Sequence, residues 1–402
     1  MYKRDLYIGK IRPFLGKPVV KVVTGMRRVG KSYLLRQVMD VLREDGVSAA
    51  NILYVDKESL EFEHISTYAD LNGLVKETLG KAEGPTFLFV DEVQEIAEWE
   101  KAIASIAGTG TIDVTITGSN AHLFSSELAT RLSGRYVELP VYSLGFAEHL
   151  LFRGDNRGDT DDEFRDFLRF GGLPAVHHFA HEAEVVHQYV SSVYNTVLLK
   201  DIVRRHEVRN VPLLERIARY LVDNVGRVIS AKRIADYVKS QRLRVGVETV
   251  QTYLSYFEEA QLAHRARRYD IKGRRQLEIY DKYYLGDIGM RHAVLGFREG
   301  ELTGVLENVV FLELRRRGYR VHIGKLRELE VDFIAQREKE RLYVQVAYLL
   351  ATPEVIEREF RALKAIPDNY EKVVLSMDTT FGDDVDGIRR QNLIDFLLAA
   401  PD

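Results

Sequence analysis

Along the first 150 positions, apolar residues come in short runs separated by longer stretches with a helical repeat. Mostly apolar runs of this length are the mark of strands buried on both faces. Five are present, at 19–23, 52–55, 87–90, 114–117 and 136–139. Between the first two, Leu34, Leu35, Val38, Val41 and Leu42 share one helical face, and Gly46 supplies a stop. The alternation predicts a parallel α/β sheet. From 161 to about 205 the pattern becomes helical, broken once at Gly171-Gly172-Leu173-Pro174. Three short helices and a hairpin are expected over 212–284. Ser230 caps the second helix, and Val250, Tyr253, Leu254 and Phe257 mark the buried face of the third. The stretch RARRYDIKGRRQLEIY, with its Lys272-Gly273 turn, reads as the hairpin. The tail reads as helix (304–317), three strands (319–323, 330–335, 342–347), helix (354–365) and strand (372–376).

A chain of 402 residues is long for one core, so two to four domains are expected. The absence of cysteine excludes disulfides, thiolate zinc sites and cysteine nucleophiles. No run is long and apolar enough for a membrane span, and the N-terminus lacks the apolar segment of a signal peptide, so a cytoplasmic location is expected. The net charge of −3 hides an uneven distribution. Residues 200–275 carry eighteen Lys or Arg against nine Asp or Glu, a local +9 that leaves −12 elsewhere. A basic middle in an acidic chain points to an anionic partner.

The strand at 19–23 runs directly into Gly25-Met26-Arg27-Arg28-Val29-Gly30-Lys31-Ser32 and then a helix. That arrangement lets backbone N–H groups wrap a polyphosphate. Gly25 and Gly30 permit the required backbone angles, Lys31 reaches the β- and γ-phosphates, and the Ser32 hydroxyl binds Mg²⁺. The strand at 87–90 ends in Asp91-Glu92, one carboxylate for the Mg²⁺ shell and one to polarise the attacking water. The strand at 114–117 ends in Gly118-Ser119-Asn120, where Asn120 can position that water as a sensor. No guanine-recognition signature is present, which favours ATP.

These stretches, together with ELATRLSGRYVELPVYSLGF, FGGLP, KYYLGDIG and LENVVFLELRRRGY, resemble the AAA-type ATPases of bacteria and archaea that carry a C-terminal domain of unknown function. The resemblance implies a parallel-sheet AAA-type P-loop core over 1–150, a helical lid over 151–205, a winged helix-turn-helix over 206–284 and an α+β PD-(D/E)XK nuclease-like domain over 285–402. It also implies a homo-oligomer in which Arg131 or Arg135 acts as a finger on a neighbour's nucleotide. Such a finger suits a transition state that spreads charge over the γ-oxygens. The competing expectation for either arginine is an ion pair at the sheet edge.

In the winged-helix resemblance the third helix enters a DNA groove while Arg265, Arg267, Arg268, Lys272, Arg274 and Arg275 hold phosphate; Arg242 and Arg244 precede that helix. Glu248, Thr249, Gln251 and Thr252, on its outer face, include no arginine to read guanine, so either sequence-independent DNA contact over 242–275 or protein docking is expected. The nuclease-like tail offers Glu307 and Asp332 as carboxylates. Its third strand has Gln345 and Ala347 where the chemistry needs Glu-x-Lys, so a non-cutting scaffold is expected. Arg315, Arg316 and Arg317 suit a helix C-terminus and need no other role. His177, His178, His181 and His187 have ligand-like spacing, but no further ligand pattern completes a zinc site, and a structural role is expected.

Overall fold

The computed structural model describes residues 2–80, 82–119, 131–132, 134–179, 182–277, 280–296, 302–379 and 384–400. Two compact units form: Met1–Val141 with Glu259–Gln261, and Tyr142–Glu258 with Leu262–Asp402. Among the described residues no helix is long and apolar enough to cross a membrane.

The first unit begins with α1 (Asp5–Ile11), β1 (Val20–Thr24), α2 (Lys31–Glu44) and β2 (Ile52–Asp56). It continues through α3 (Tyr68–Leu79), β3 (Thr86–Asp91), α4 (Trp99–Gly108), β4 (Ile112–Gly118) and β5 (Tyr136–Pro140). The strands form one sheet in the order β2-β3-β4-β1-β5, every pair parallel. The interior strands β1 and β3 are buried at every position, which is why their sequences are mostly apolar. Lys21 interrupts the run in β1 and is fully buried. Its ammonium pairs with Asp113 of β4, whose second oxygen accepts from the Gly16 N–H at 2.6 Å, so the buried charge is compensated.

The second unit opens with α5 (Phe146–Arg153), α6 (Thr160–Phe170) and α7 (Ala183–Thr196), the last running into a π-helical stretch at Val197–Arg204. Then come α8 (Val211–Asp223), β6 (Val228–Ile229), α9 (Ala231–Ser240), α10 (Val247–Glu259), β7 (Ala263–Ala266), β8 (Arg268–Asp270), β9 (Arg275–Gln276), β10 (Asp281–Leu285) and α11 (Gly289–Leu295). Ser230 caps α9 by accepting from the Arg233 N–H at 3.2 Å. The tail follows as α12 (Leu302–Arg316), β11 (Arg320–Leu326), β12 (Leu329–Arg337), β13 (Glu340–Val346), α13 (Pro353–Lys364), β14 (Glu371–Ser376), β15 (Arg389–Asn392) and α14 (Leu393–Leu398).

Two sheets share these strands. One is antiparallel in the order β6-β10-β7, and the other has seven strands in the order β15-β14-β13-β12-β11-β8-β9. The expected Lys272-Gly273 turn does close a hairpin, with β8 antiparallel to β9, but the basic segment as a whole is divided between the two sheets. β7 pairs with β10, whereas β8 lies parallel to β11, with Arg268, Tyr269 and Asp270 opposite Ile323, Gly324 and Lys325. The backbone turns at Arg267, where its carbonyl accepts from the Ile323 N–H at 2.9 Å.

The glycine break near residue 171 has a specific partner. Gly171 has φ +80°, and a Cβ there would collide with the Asp287 carboxylate. Asp287 is fully buried and accepts from the N–H groups of Gly172 (2.8 Å) and Gly289 (3.0 Å) and from Ser143. Burial pushes its pKa up to about 6 despite these three donors. The distant motifs FGGLP and LGDIG thus meet at one carboxylate.

Candidate functional site

At the C-terminal ends of the parallel strands, the loop after β1 and the residues after β3 come together. Gly25 lies against the Val141 carbonyl, which leaves no room for a Cβ, and Gly30 takes φ +97° as it opens α2. Met26, Arg27, Val29 and Lys31 are buried, Arg28 is exposed at φ +69°, and Gly30 and Ser32 are partly covered. Lys31 folds back on its own loop, donating to the carbonyls of Gly25 (2.9 Å) and Met26 (3.3 Å), with the Glu92 carboxylate at 3.8 Å. An ammonium satisfied only by carbonyls and one carboxylate is poised to meet a polyanion. Arg27 Nη1 is held by Glu58 Oε1 at 2.8 Å.

Asp91 is buried and surrounded by hydroxyl groups. Ser32 and Thr117 donate to it, and Tyr54 of β2 donates to Oδ2 at 3.0 Å. Burial is the main effect on its acidity and raises its pKa; the hydroxyl groups act against that and the neighbouring Glu92 charge adds to it. Among the described residues no cation forms an ion pair with this carboxylate. The donor set, one hydroxyl from the first turn of α2 and one carboxylate from the end of β3, suits Mg²⁺, which binds few protein oxygens and keeps water and phosphate for its other positions. Glu92 adopts φ +52°, uncommon for a residue with a side chain. It is held there by its N–H, which donates to Thr117 Oγ1 at 3.0 Å, while its carboxylate accepts from the Gln94 amide. Thr117 therefore serves both acids, donating to one and accepting from the next.

The family model for the AAA domain matches residues 17–150, and one for a domain of unknown function matches 161–301. An uncharacterised protein of Haemophilus influenzae is 35% identical over 400 residues, covering 99% of both chains. One of Methanocaldococcus jannaschii is 31% identical over 366 residues, 87% of this chain and 79% of that one. The chain belongs to this AAA-domain family. Among solved structures, the Walker-type ATPase PABY2304 of Pyrococcus abyssi matches 73% of this chain and 96% of its own with a TM-score of 0.55; at 15% identity the match speaks to the fold.

The remaining expected residues of this AAA protein divide into several groups. Asn120 lies outside the described residues. Arg131 and Arg135 are exposed, and among the described residues neither forms an ion pair; the Arg135 carbonyl starts the pairing of β5 with β1 by accepting from the Val20 N–H at 2.9 Å. Tyr54, Glu58, Gln94 and Thr117 were not singled out by the sequence. The alternation in β4 offered one signal, since Thr115 and Thr117 are hydroxyl groups in a strand buried almost throughout.

In the second unit, Arg267, Lys272, Arg274 and Arg275 are exposed, as are Arg242, Glu248, Thr249, Gln251 and Thr252. Arg244 is exposed as well, Arg268 is half-buried, and Arg265 is engaged by Asp281 at 2.6 Å. The arginines at the end of α12 are more than helix-end charges. Arg316 is buried, pairing with Glu313 and donating to the Ser143 carbonyl at 2.9 Å. Arg317 donates to Glu313 (2.8 Å) and to the carbonyls of Phe396 (2.6 Å) and Ala399 (3.0 Å). Charge at a helix end predicted their favourable placement but not these tertiary contacts.

His177 packs against His149 with ring centroids 4.8 Å apart, and His181 lies outside the described residues. Among the described residues no three His, Cys, Asp or Glu side chains are arranged to hold a metal ion. The tail does bring Glu307 and Asp332 together, with Gln345 beside them and Ala347 after the end of β13. Between the two carboxylates sits the ammonium group of Lys282, from β10.

Proposed function

We propose that the protein is an ATP-hydrolysing switch or motor whose nucleotide state is transmitted to a partner through the second unit. The observation that carries this reading is the convergence of Lys31, Ser32, Asp91 and Glu92 at one end of the parallel sheet. Lys31 and the loop amides bind the phosphates; Ser32 and Asp91 would hold Mg²⁺, which supplies positive charge at the β- and γ-oxygens. Glu92 accepts a proton from the attacking water, and its fixed backbone aims the carboxylate into the site. Asn120 is assigned as sensor, and Arg131 or Arg135 as the finger in a homo-oligomer. The test is nucleotide binding set beside turnover. Lys31→Ala is expected to lose tight ATP binding, while Glu92→Gln binds ATP and releases no phosphate. Equal phosphate release by Glu92→Gln and the parent would overturn the assignment.

A DNA partner is the second part of the reading. It is supported by the helix–strand order α8-β6-α9-α10-β7, completed by β10 after the intervening β8 and β9, which resembles that of a winged helix, and by the exposed basic residues between 242 and 275. Arg267, Lys272, Arg274 and Arg275 would contact phosphate, while the uncharged and acidic outer face of α10 reads little sequence.

A further inference from the structure

We propose that Lys282 is a built-in counter-ion that takes the place of a divalent metal in the tail's acidic cluster and fastens the three-stranded sheet to the tail, so that this cluster neither binds nor needs Mg²⁺. Lys282 lies in β10, at the centre of the three-stranded sheet, opposite Val228 and Ala266. Its Nζ is 3.0 Å from Glu307 Oε2 on α12, and 3.1 Å from Glu330 Oε1 and 3.3 Å from Asp332 Oδ1, both on β12. One ammonium thus hydrogen-bonds two carboxylates, Glu307 and Asp332, and forms an ion pair with a third, Glu330.

The surrounding groups leave a metal no place. Glu307 Oε2 also accepts from the Tyr284 hydroxyl at 2.9 Å, and Asp332 Oδ2 accepts from the Val346 N–H at 3.0 Å. Gln345 accepts from the Asp332 N–H at 3.3 Å and donates to Glu359 at 3.1 Å, so the amide binds protein on both sides. Mg²⁺ requires oxygen ligands at about 2.0–2.1 Å, which the interposed ammonium prevents. Lys282 is 3% exposed, and Glu307 and Asp332 are 6% and 7% exposed, so a phosphodiester has no approach to them. Burial works against the lysine's charge, but the three carboxylates, Glu307 foremost, outweigh it and hold the ammonium above its ordinary pKa. The same strand is bound to α12 again at Leu285, whose N–H donates to Asn308 Oδ1 at 2.6 Å and whose carbonyl accepts from its amide at 3.0 Å.

The test uses the full-length chain without nucleotide. Titrated with Mn²⁺ and followed by electron paramagnetic resonance, the parent and Asp332→Asn should bind the same amount; Mn²⁺ bound by the parent and lost in Asp332→Asn overturns the proposal. Thermal unfolding supplies a second readout. Lys282→Met should lower the melting temperature by leaving three carboxylates without a cation, and Lys282→Met/Glu307→Gln, with one negative charge fewer, should recover part of the loss. A double variant that melts no higher than the single, or fails to fold, overturns the counter-ion role. Should Lys282→Met alone fail to fold, a folded double variant supports that role.

Discussion

Replacing Thr117 with valine keeps the shape of the side chain and removes one oxygen. That oxygen donates to Asp91 and accepts from the Glu92 N–H, so the change acts on both acids of the nucleotide site. Asp91 loses one of three hydroxyl donors, and a hydrogen bond to a charged group contributes about 1.5–3 kcal/mol. If this loss falls wholly on the transition state, turnover drops about 10- to 150-fold, since each 1.36 kcal/mol is a factor of ten. The Glu92 N–H becomes a buried donor without a partner, which costs about 1–3 kcal/mol and lowers the melting temperature. The phosphate-binding loop is untouched, so KM for ATP should change little. Steady-state phosphate release against ATP concentration measures both constants, and Thr117→Ser, which restores the oxygen, should recover most of the rate. An unchanged kcat in Thr117→Val, or a serine variant as slow as the valine one, would refute the bridging role.

Three other outcomes are expected. If Arg131 or Arg135 acts across a subunit boundary, a chain lacking the finger mixed with Lys31→Ala should regain activity, and mixtures that stay inactive would count against a shared site. If Arg267, Lys272, Arg274 and Arg275 each hold a phosphate, log K for duplex DNA should fall with log salt at a slope of about −3.6, and changing all four to Ala should flatten it equally for all sequences; strong preference for one sequence would contradict the wing contact. Burial, reinforced by Asp332, pushes the Glu307 pKa up to about 7 in the folded chain, with Lys282 and Tyr284 of β10 acting against the shift and Glu330 also close to the cluster. The folded state then binds the extra proton, so this group's contribution to stability is complete below about pH 4.5 and is lost as pH rises to about 7. Unfolding of Glu307→Gln by urea should vary less across that window, and an identical pH profile in parent and variant would exclude the effect.

The first unit was largely legible in the sequence because each strand of a doubly covered parallel sheet must be apolar on both faces. The five runs lie within or one residue from the observed strands, and the phosphate loop is local in sequence, so its spacing carries its geometry. What could not be read were contacts made across the sheet. Tyr54 on β2 and Thr117 on β4 meet at Asp91 on β3, and nothing in the local pattern of either marks it as a partner of an acid. In the tail the order of helices and strands followed periodicity, but β15 (RRQN) is too polar to signal a strand and gains its place by pairing with β14. Lys282 was invisible for a related reason. A lysine in KYYL reads as a solvated side chain, and only the fold reveals three carboxylates around it.

The course of the chain between β7 and β10 limits how the protein can be divided. It leaves the three-stranded sheet after Ala266, contributes β8 and β9 to the seven-stranded one, and returns at Asp281. No single cut separates the two sheets. A fragment ending at residue 284 would keep β8 but lose β11, exposing a strand edge that invites pairing with other chains, and would leave Lys282 without its carboxylates. A fragment beginning at 285 would keep Glu307, Glu330 and Asp332 with no cation among them. Proteolysis should accordingly release no stable piece bounded near residue 284, and the basic hairpin and the tail should be inherited, exchanged and lost as a single piece.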